Sequence, residues 1–133
     1  MADHDRYGKD VLKSAAGSDI RLKSPYIDYG AGLPARIDGT VGDHIAVEIE
    51  SRVAKQVRGA ILDLICHRYP KKLLVLLPVH MSNPDITLSQ CRNILSRFLA
   101  PDDFRVVLVT GHGADQKRET DVLLVSEAIK ELS

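Results

Sequence analysis

The chain has 133 residues, 44% hydrophobic and 27% charged, with 18 basic and 18 acidic side chains and a formal net charge of zero at pH 7. That length predicts one domain, residues 1–133, able to bury a core of its own. The balance lacks the basic excess that often marks a nucleic-acid-binding domain, and the longest apolar run, residues 73–79, is far too short to span a bilayer. No internal repeat, low-complexity tract or N-terminal signal peptide is found, so a cytoplasmic protein is expected. Cys66 and Cys91 belong to no CxxC or Cys/His metal pattern and read as small buried hydrophobes in a reducing compartment. Charge is unevenly spread: Arg52, Lys55, Arg58, Arg68, Lys71 and Lys72 face only Asp63 across residues 51–72.

Residues 4–16 have Tyr7, Val11, Leu12 and Ala15 at helical spacing, stopped by Gly17. Residues 20–29 alternate loosely and contain Pro25, which predicts a bent or edge strand. Gly30, Ala31 and Gly32 then make a connection. The next two strands, residues 35–41 and 45–50, form a hairpin. In the second, Ile45, Val47 and Ile49 point one way and Ala46, Glu48 and Glu50 the other. In the first, Ile37 and Val41 are expected to face the core, with Arg36, Asp38 and Thr40 opposite. Ser51 is a good N-cap for a helix over 52–68, with an apolar stripe of Val53, Val57, Ala60, Ile61, Leu64 and Ile65. A separate polar stripe runs through Arg52, Lys55, Gln56, Gly59 and Asp63. Residues 73–77 do not alternate and predict a strand buried on both faces. A helix over 87–99 turns Leu88, Cys91, Ile94, Leu95 and Phe98 inward. A buried strand over 105–110 and a closing helix over 119–132 complete an α/β chain: a mixed sheet of about five strands with helices on both faces.

Register makes the hairpin testable. A two-residue turn at Gly42 and Asp43 pairs Asp38 with Val47, an acid against an apolar side chain. A three-residue loop, Gly42 to His44, pairs Asp38 with Glu48 and Ile37 with Ile49. A one-residue slip turns a whole strand over, so the apolar pattern favours the odd-length loop or a bulge. Asp38, Glu48 and Glu50 then share one face. Gathered carboxylates repel one another, and a divalent cation is a common reason for gathering them.

Asp38, then Glu48-Ile49-Glu50, then a helix carrying Lys55 and Gln56, resembles the PD-(D/E)xK superfamily of restriction-endonuclease-like nucleases, over roughly residues 5–80. The resemblance implies a three-layer α/β/α fold and Mg²⁺- or Mn²⁺-dependent hydrolysis of DNA. Asp38 and Glu48 would be the metal ligands, Glu50 would position the water, and Lys55 and Gln56 would support. Asp38 follows Ile37 where the family usually has proline. Glu50 stands where it usually has lysine, a Glu-x-Glu variant similar to that of some restriction enzymes. Arg52 or Lys55 is the candidate for the missing positive charge, and Asp5 or Asp10 for an acid on the first helix. One small domain with one site cuts one strand, so duplex cleavage implies a homodimer.

Other readings stand beside this. The acidic strand also fits a solvated face salt-bridged to Arg36, Arg52 or Lys55, in a catalytically inactive nuclease-fold or other α/β module acting through protein–protein or homodimeric contacts. Residues 111–115 follow a strand and contain His112, but lack the Gly-Lys-Ser/Thr of a phosphate loop and the Gly-x-Gly-x-x-Gly pattern. His80 lies just beyond a strand end, His67 is expected at a solvated helix end, and no serine nucleophile elbow is present.

Overall fold

The computed structural model describes residues 3–22, 26–32, 34–52, 54–111 and 118–133. In chain order its regular elements are α1 (Asp3–Ala16), β1 (Ile20–Leu22), β2 (Tyr26–Ile27), β3 (Ala35–Arg36), β4 (Gly39–Val41), β5 (Ile45–Glu50), α2 (Ala54–Cys66), β6 (Lys71–Leu76), α3 (Pro84–Leu95), β7 (Phe104–Leu108) and α4 (Arg118–Leu132). Five strands form one mixed sheet in the order β1-β4-β5-β6-β7, while β2 and β3 pair separately. The pairs β1–β4 and β4–β5 are antiparallel; β5–β6 and β6–β7 are parallel.

The sheet lies between two cores. On one side Leu73, Val75 and Leu77 pack with Tyr7, Val11 and Leu12 of α1 and Val125, Ala128 and Leu132 of α4. On the other, Leu74 and Leu76 pack with Val57, Ala60, Ile61 and Leu64 of α2 and with Cys91 and Leu95 of α3. This accounts for the unbroken apolar run of β6: a strand covered on both faces alternates between two cores, not between core and water. Each fully buried leucine there contributes about 1.5–3 kcal/mol. Gly8 lets α1 close on the sheet, since a Cβ at that position would lie 2.7 Å from Ile49 and 3.0 Å from Leu77.

The expected hairpin loop is present: Val41 pairs with Ile45 across Gly42, Asp43 and His44. The strands around it are more broken than their alternation predicts. The 20–29 strand divides into β1 and β2, and the 35–41 strand into β3 and β4, with Asp38 between the halves. Ile37 and Val41 therefore enter opposite cores instead of sharing one. Pro25 and Val53 lie outside the described residues.

Helix phase corrects three burial expectations. His67 continues the inward stripe three residues beyond Leu64 and is buried, whereas Cys66 faces out. Lys72, also buried, reaches back to donate to the His67 carbonyl at the end of α2 (2.5 Å), and cations are favoured at helix C-termini. Burial pulls its ammonium down to about 8. Phe98 falls after α3 has ended at Leu95 and is exposed.

The edge strand β7 is guarded. Arg92 donates to the Val106 carbonyl at 3.0 Å, and Arg105, paired with Glu131, donates to the Phe104 carbonyl at 2.7 Å.

Candidate functional site

The break in the hairpin builds the site. Where main-chain pairing between the first strand and β5 stops, side chains replace it. Asp38 N–H donates to Glu48 Oε1 at 3.1 Å, and Ile49 N–H donates to Asp38 Oδ2 at 2.7 Å. Each acid is thus fixed by the backbone of the opposite strand. Two residues on, Glu50 accepts four hydrogen bonds of 2.9–3.0 Å: from the N–H groups of Ser51 and Arg52, and from Nε and Nη2 of the Arg52 side chain. The turn into α2 is therefore held by Glu50, and the helix begins at Ala54, two residues later than expected.

All three acids line one polar cleft of about 410 Å³, together with Lys9 of α1, Arg36 of β3, Arg52 of the turn before α2, and Asp63 of α2. Asp63 Oδ1 accepts a hydrogen bond from the Tyr29 hydroxyl at 2.5 Å. Glu48 is only 8% exposed. Burial, reinforced by the charges of Asp38 and Asp63, raises its carboxyl to about 9 against the help of the Asp38 N–H. Glu50 behaves oppositely. Burial works against its charge, but the Arg52 guanidinium and the two N–H donors outweigh that and hold it below the usual range. One cleft thus contains a carboxylate that its donors keep charged, Glu50, and a carboxyl that its surroundings keep protonated, Glu48.

Asp38, Glu48 and Glu50 are brought together as the sequence predicts. Lys55 and Gln56 are exposed on the first turn of α2 and do not line the cleft. Of the polar stripe on that helix, Asp63 reaches the cleft, with Arg52 arriving from the turn before it. Lys9 was not singled out by sequence, although it lies one residue after the Gly8 approach and on the helix that begins the resemblance. Asp10 is exposed and outside the cleft lining, and Asp5 falls within α1. His80 closes a short 3₁₀ turn, Pro78–His80, on the surface. His112, Gly113, Ala114 and Asp115 lie outside the described residues.

A third buried acid, outside the cleft, has no counterpart among the residues that the sequence singles out. Asp121, fully buried at the start of α4, accepts hydrogen bonds from the Tyr7 hydroxyl (2.5 Å), the Thr110 N–H (2.8 Å) and hydroxyl (2.9 Å), and the Gly111 N–H (2.8 Å). Burial opposes its charge, but these donors hold the carboxyl below its ordinary value. It ties α1, the end of β7 and α4 together. Its spacing to Val125, Ala128 and Leu132 follows the inward helical stripe, so the periodicity carried the signal.

Among the described residues, no group of three or more His, Cys, Asp or Glu side chains is placed to hold a metal ion. No helix there is long and apolar enough to cross a membrane. Fold and site together define an α/β protein with a mixed five-stranded sheet and an acidic cleft at a strand break beside a helix start. No family model matches the chain, and no curated protein or solved structure shows significant similarity to it.

Proposed function

We propose that the protein is a restriction-endonuclease-like nuclease that hydrolyses DNA phosphodiester bonds with Mg²⁺ or Mn²⁺. The observation that carries this is the reciprocal anchoring of Asp38 and Glu48, which commits carboxylates from two strands to one cleft rimmed by Lys9, Arg36 and Arg52. The helix–meander–helix–strand order and the parallel β5–α2–β6 crossover support the fold. Two free cysteines fit a cytoplasmic setting.

Mg²⁺ is usually held by one or two carboxylates with water and substrate phosphate, not by an all-protein cage. Asp38 with Glu48 is a donor set of that kind. When bound, the cation offsets charge on the phosphate and acidifies a water. Glu48 gives up its proton as positive charge enters the cleft. Lys9, Arg36 and Arg52 favour an approaching phosphate. Glu50 does not position water in this arrangement, because Arg52 and the turn occupy its oxygens. Arg52 returns the positive charge that lysine would bring to the Glu50 position, but as a guanidinium it is no proton acceptor.

The test is hydrolysis of plasmid, linear and branched DNA with Mg²⁺ or Mn²⁺, comparing wild type with Asp38→Ala. Removing one group that stabilises transition-state charge typically costs 10²–10³ in rate, and a loss of at least about a hundredfold is expected. A protein that cuts no class of DNA and binds neither cation refutes the proposal. The engagement of Glu50 by Arg52, with Lys55 and Gln56 outside the cleft, favours a second reading: a nuclease fold without catalysis, acting by interaction. Cation or DNA binding without cleavage is its signature.

A further inference from the structure

We infer that copies of this chain assemble head to tail, the outer face of α4 in one copy seated between α2 and α3 of the next. The inference is independent of the nuclease reading. The groove between α2 and α3 has a volume of about 320 Å³ and an apolar floor that includes Val57, Ile61 and Ile94. Arg58 and Arg97 flank it, and no acidic residue lines it. An occupant of matching chemistry carries an apolar side chain between carboxylates.

The outer face of α4 is such a surface. Its inward stripe is Asp121, Val125, Ala128 and Leu132, and on its otherwise polar outer side Leu123 is 60% exposed, with Lys130 two turns further on. Glu119 and Glu127, both exposed, stand four residues before and after Leu123. That spacing puts the three on one stripe, a turn apart. An acid-flanked leucine and an arginine-flanked apolar groove are complementary in polarity and sign. A chain of zero net charge adds no long-range repulsion between copies.

The layers decide the symmetry. α4 lies with α1 on one face of the sheet, and α2 and α3 lie on the other. Key and socket therefore point in opposite directions. A two-fold dimer cannot use both, and the contact is heterologous, giving a ring if it closes and a filament if it does not. The arginine-guarded edge of β7 is not required for this, since stacking joins layers and leaves strand edges alone.

The experiment is light scattering or sedimentation of the full chain across a wide concentration range at low salt. Wild-type mass should keep rising past the dimer and fall as salt is added, because exposed charge pairs are screened. Leu123→Asp alone, and Arg58→Glu with Arg97→Glu, should each be monomeric while retaining the wild-type circular dichroism spectrum and Tm. Mixed in equal amounts, these two variants keep one intact key and one intact socket and should stop at a dimer. A wild type that stays monomeric overturns the inference, as does one that plateaus at a dimer, or variants that assemble like wild type. A monomeric wild type that binds a peptide with the Glu-x₃-Leu-x₃-Glu pattern also overturns it, and gives the groove to another protein's acidic helix.

Discussion

Glu48 and Asp121 are both buried acids, and the chain treats them in opposite ways. Asp121 sits under four donors that knit α1, β7 and α4, and its charge is held in place. Glu48 receives one N–H, looks onto Asp38 and Asp63, and keeps its proton up to about 9. A buried carboxylate under several donors is a structural tie; one that faces two other acids keeps its proton and weakens the fold once it ionises.

The largest expected effect breaks the structural side of this pair. Asp121→Ala strands the Tyr7 hydroxyl and the Thr110 and Gly111 N–H groups, each a loss of roughly 1–3 kcal/mol when buried, and should cost about 3–5 kcal/mol in urea unfolding. A small loss would show that water replaces the carboxylate, and the distinction would weaken.

Next comes the pH dependence of stability. Glu48 binds its proton more tightly folded than unfolded, so between its ordinary value of 4.5 and about 9 the native state holds more protons and stability falls as pH rises. Asp121 works the other way: its contribution is present above its ordinary value of 3.8 and is lost as pH falls through the lower folded value. Lys72, folded near 8 against 10.5, adds stability with rising pH only above about 8. His67, which burial holds below 6.5, adds stability with rising pH up to that value, so the wild-type Tm should decline most clearly from pH 6.5 to pH 8. Glu48→Gln should flatten that decline and raise the Tm at pH 8 by roughly 3–8 °C, the shift expected for about 1–2 kcal/mol in a domain of this size. The same variant should lose cation binding. Calorimetry in two buffers of different ionisation enthalpy should show Mg²⁺ or Mn²⁺ binding to wild type with proton release at pH 7.5, because a ligand must shed its proton to bind. Binding without proton release would remove Glu48 from the ligand set.

The smallest effect sharpens the comparison from outside the acids. Gly59 lies within α2, four residues before Asp63, and a Cβ there would meet nothing within 4 Å. Glycine in a helix is less stable than alanine by roughly 0.5–1 kcal/mol, so Gly59→Ala should raise stability by about that amount. If cleavage then slows while stability rises, that face of the helix is approached by substrate.

The hairpin register was legible because a period of two leaves few ways to bury Ile45 and Val47 and still match Asp38 with an acid. The mixed sheet with helices on both faces was legible in the strand–helix alternation and the apolar run of β6, whereas the strand order was not. The break at Asp38 was not legible, since it depends on side chains taking main-chain hydrogen bonds across the strands, which no alternation pattern records. For the same reason the hold of Glu50 on the turn into α2 was not legible, because it rests on main-chain and Arg52 donors that alternation does not record. The resemblance and the polar stripe both place Lys55 and Gln56 at the site, yet only the Asp63 end of that stripe lies against the cleft. Asp121 and His67 were different. Both sit in phase with apolar neighbours, and expecting polar residues at the surface hid them.

The two arginines that guard β7, Arg92 from α3 and Arg105 from the strand itself, matter most at the pH where the chain has no net charge. With the sequence pI near 7.0, electrostatic repulsion between molecules is weakest in neutral solution. An open sheet edge in a protein without that protection is a template for fibrous aggregation. Arg92 and Arg105 already occupy carbonyls a foreign strand would need. When this protein comes out of solution near neutrality, it should do so as folded particles that redissolve on a change of pH, and not as cross-β fibres.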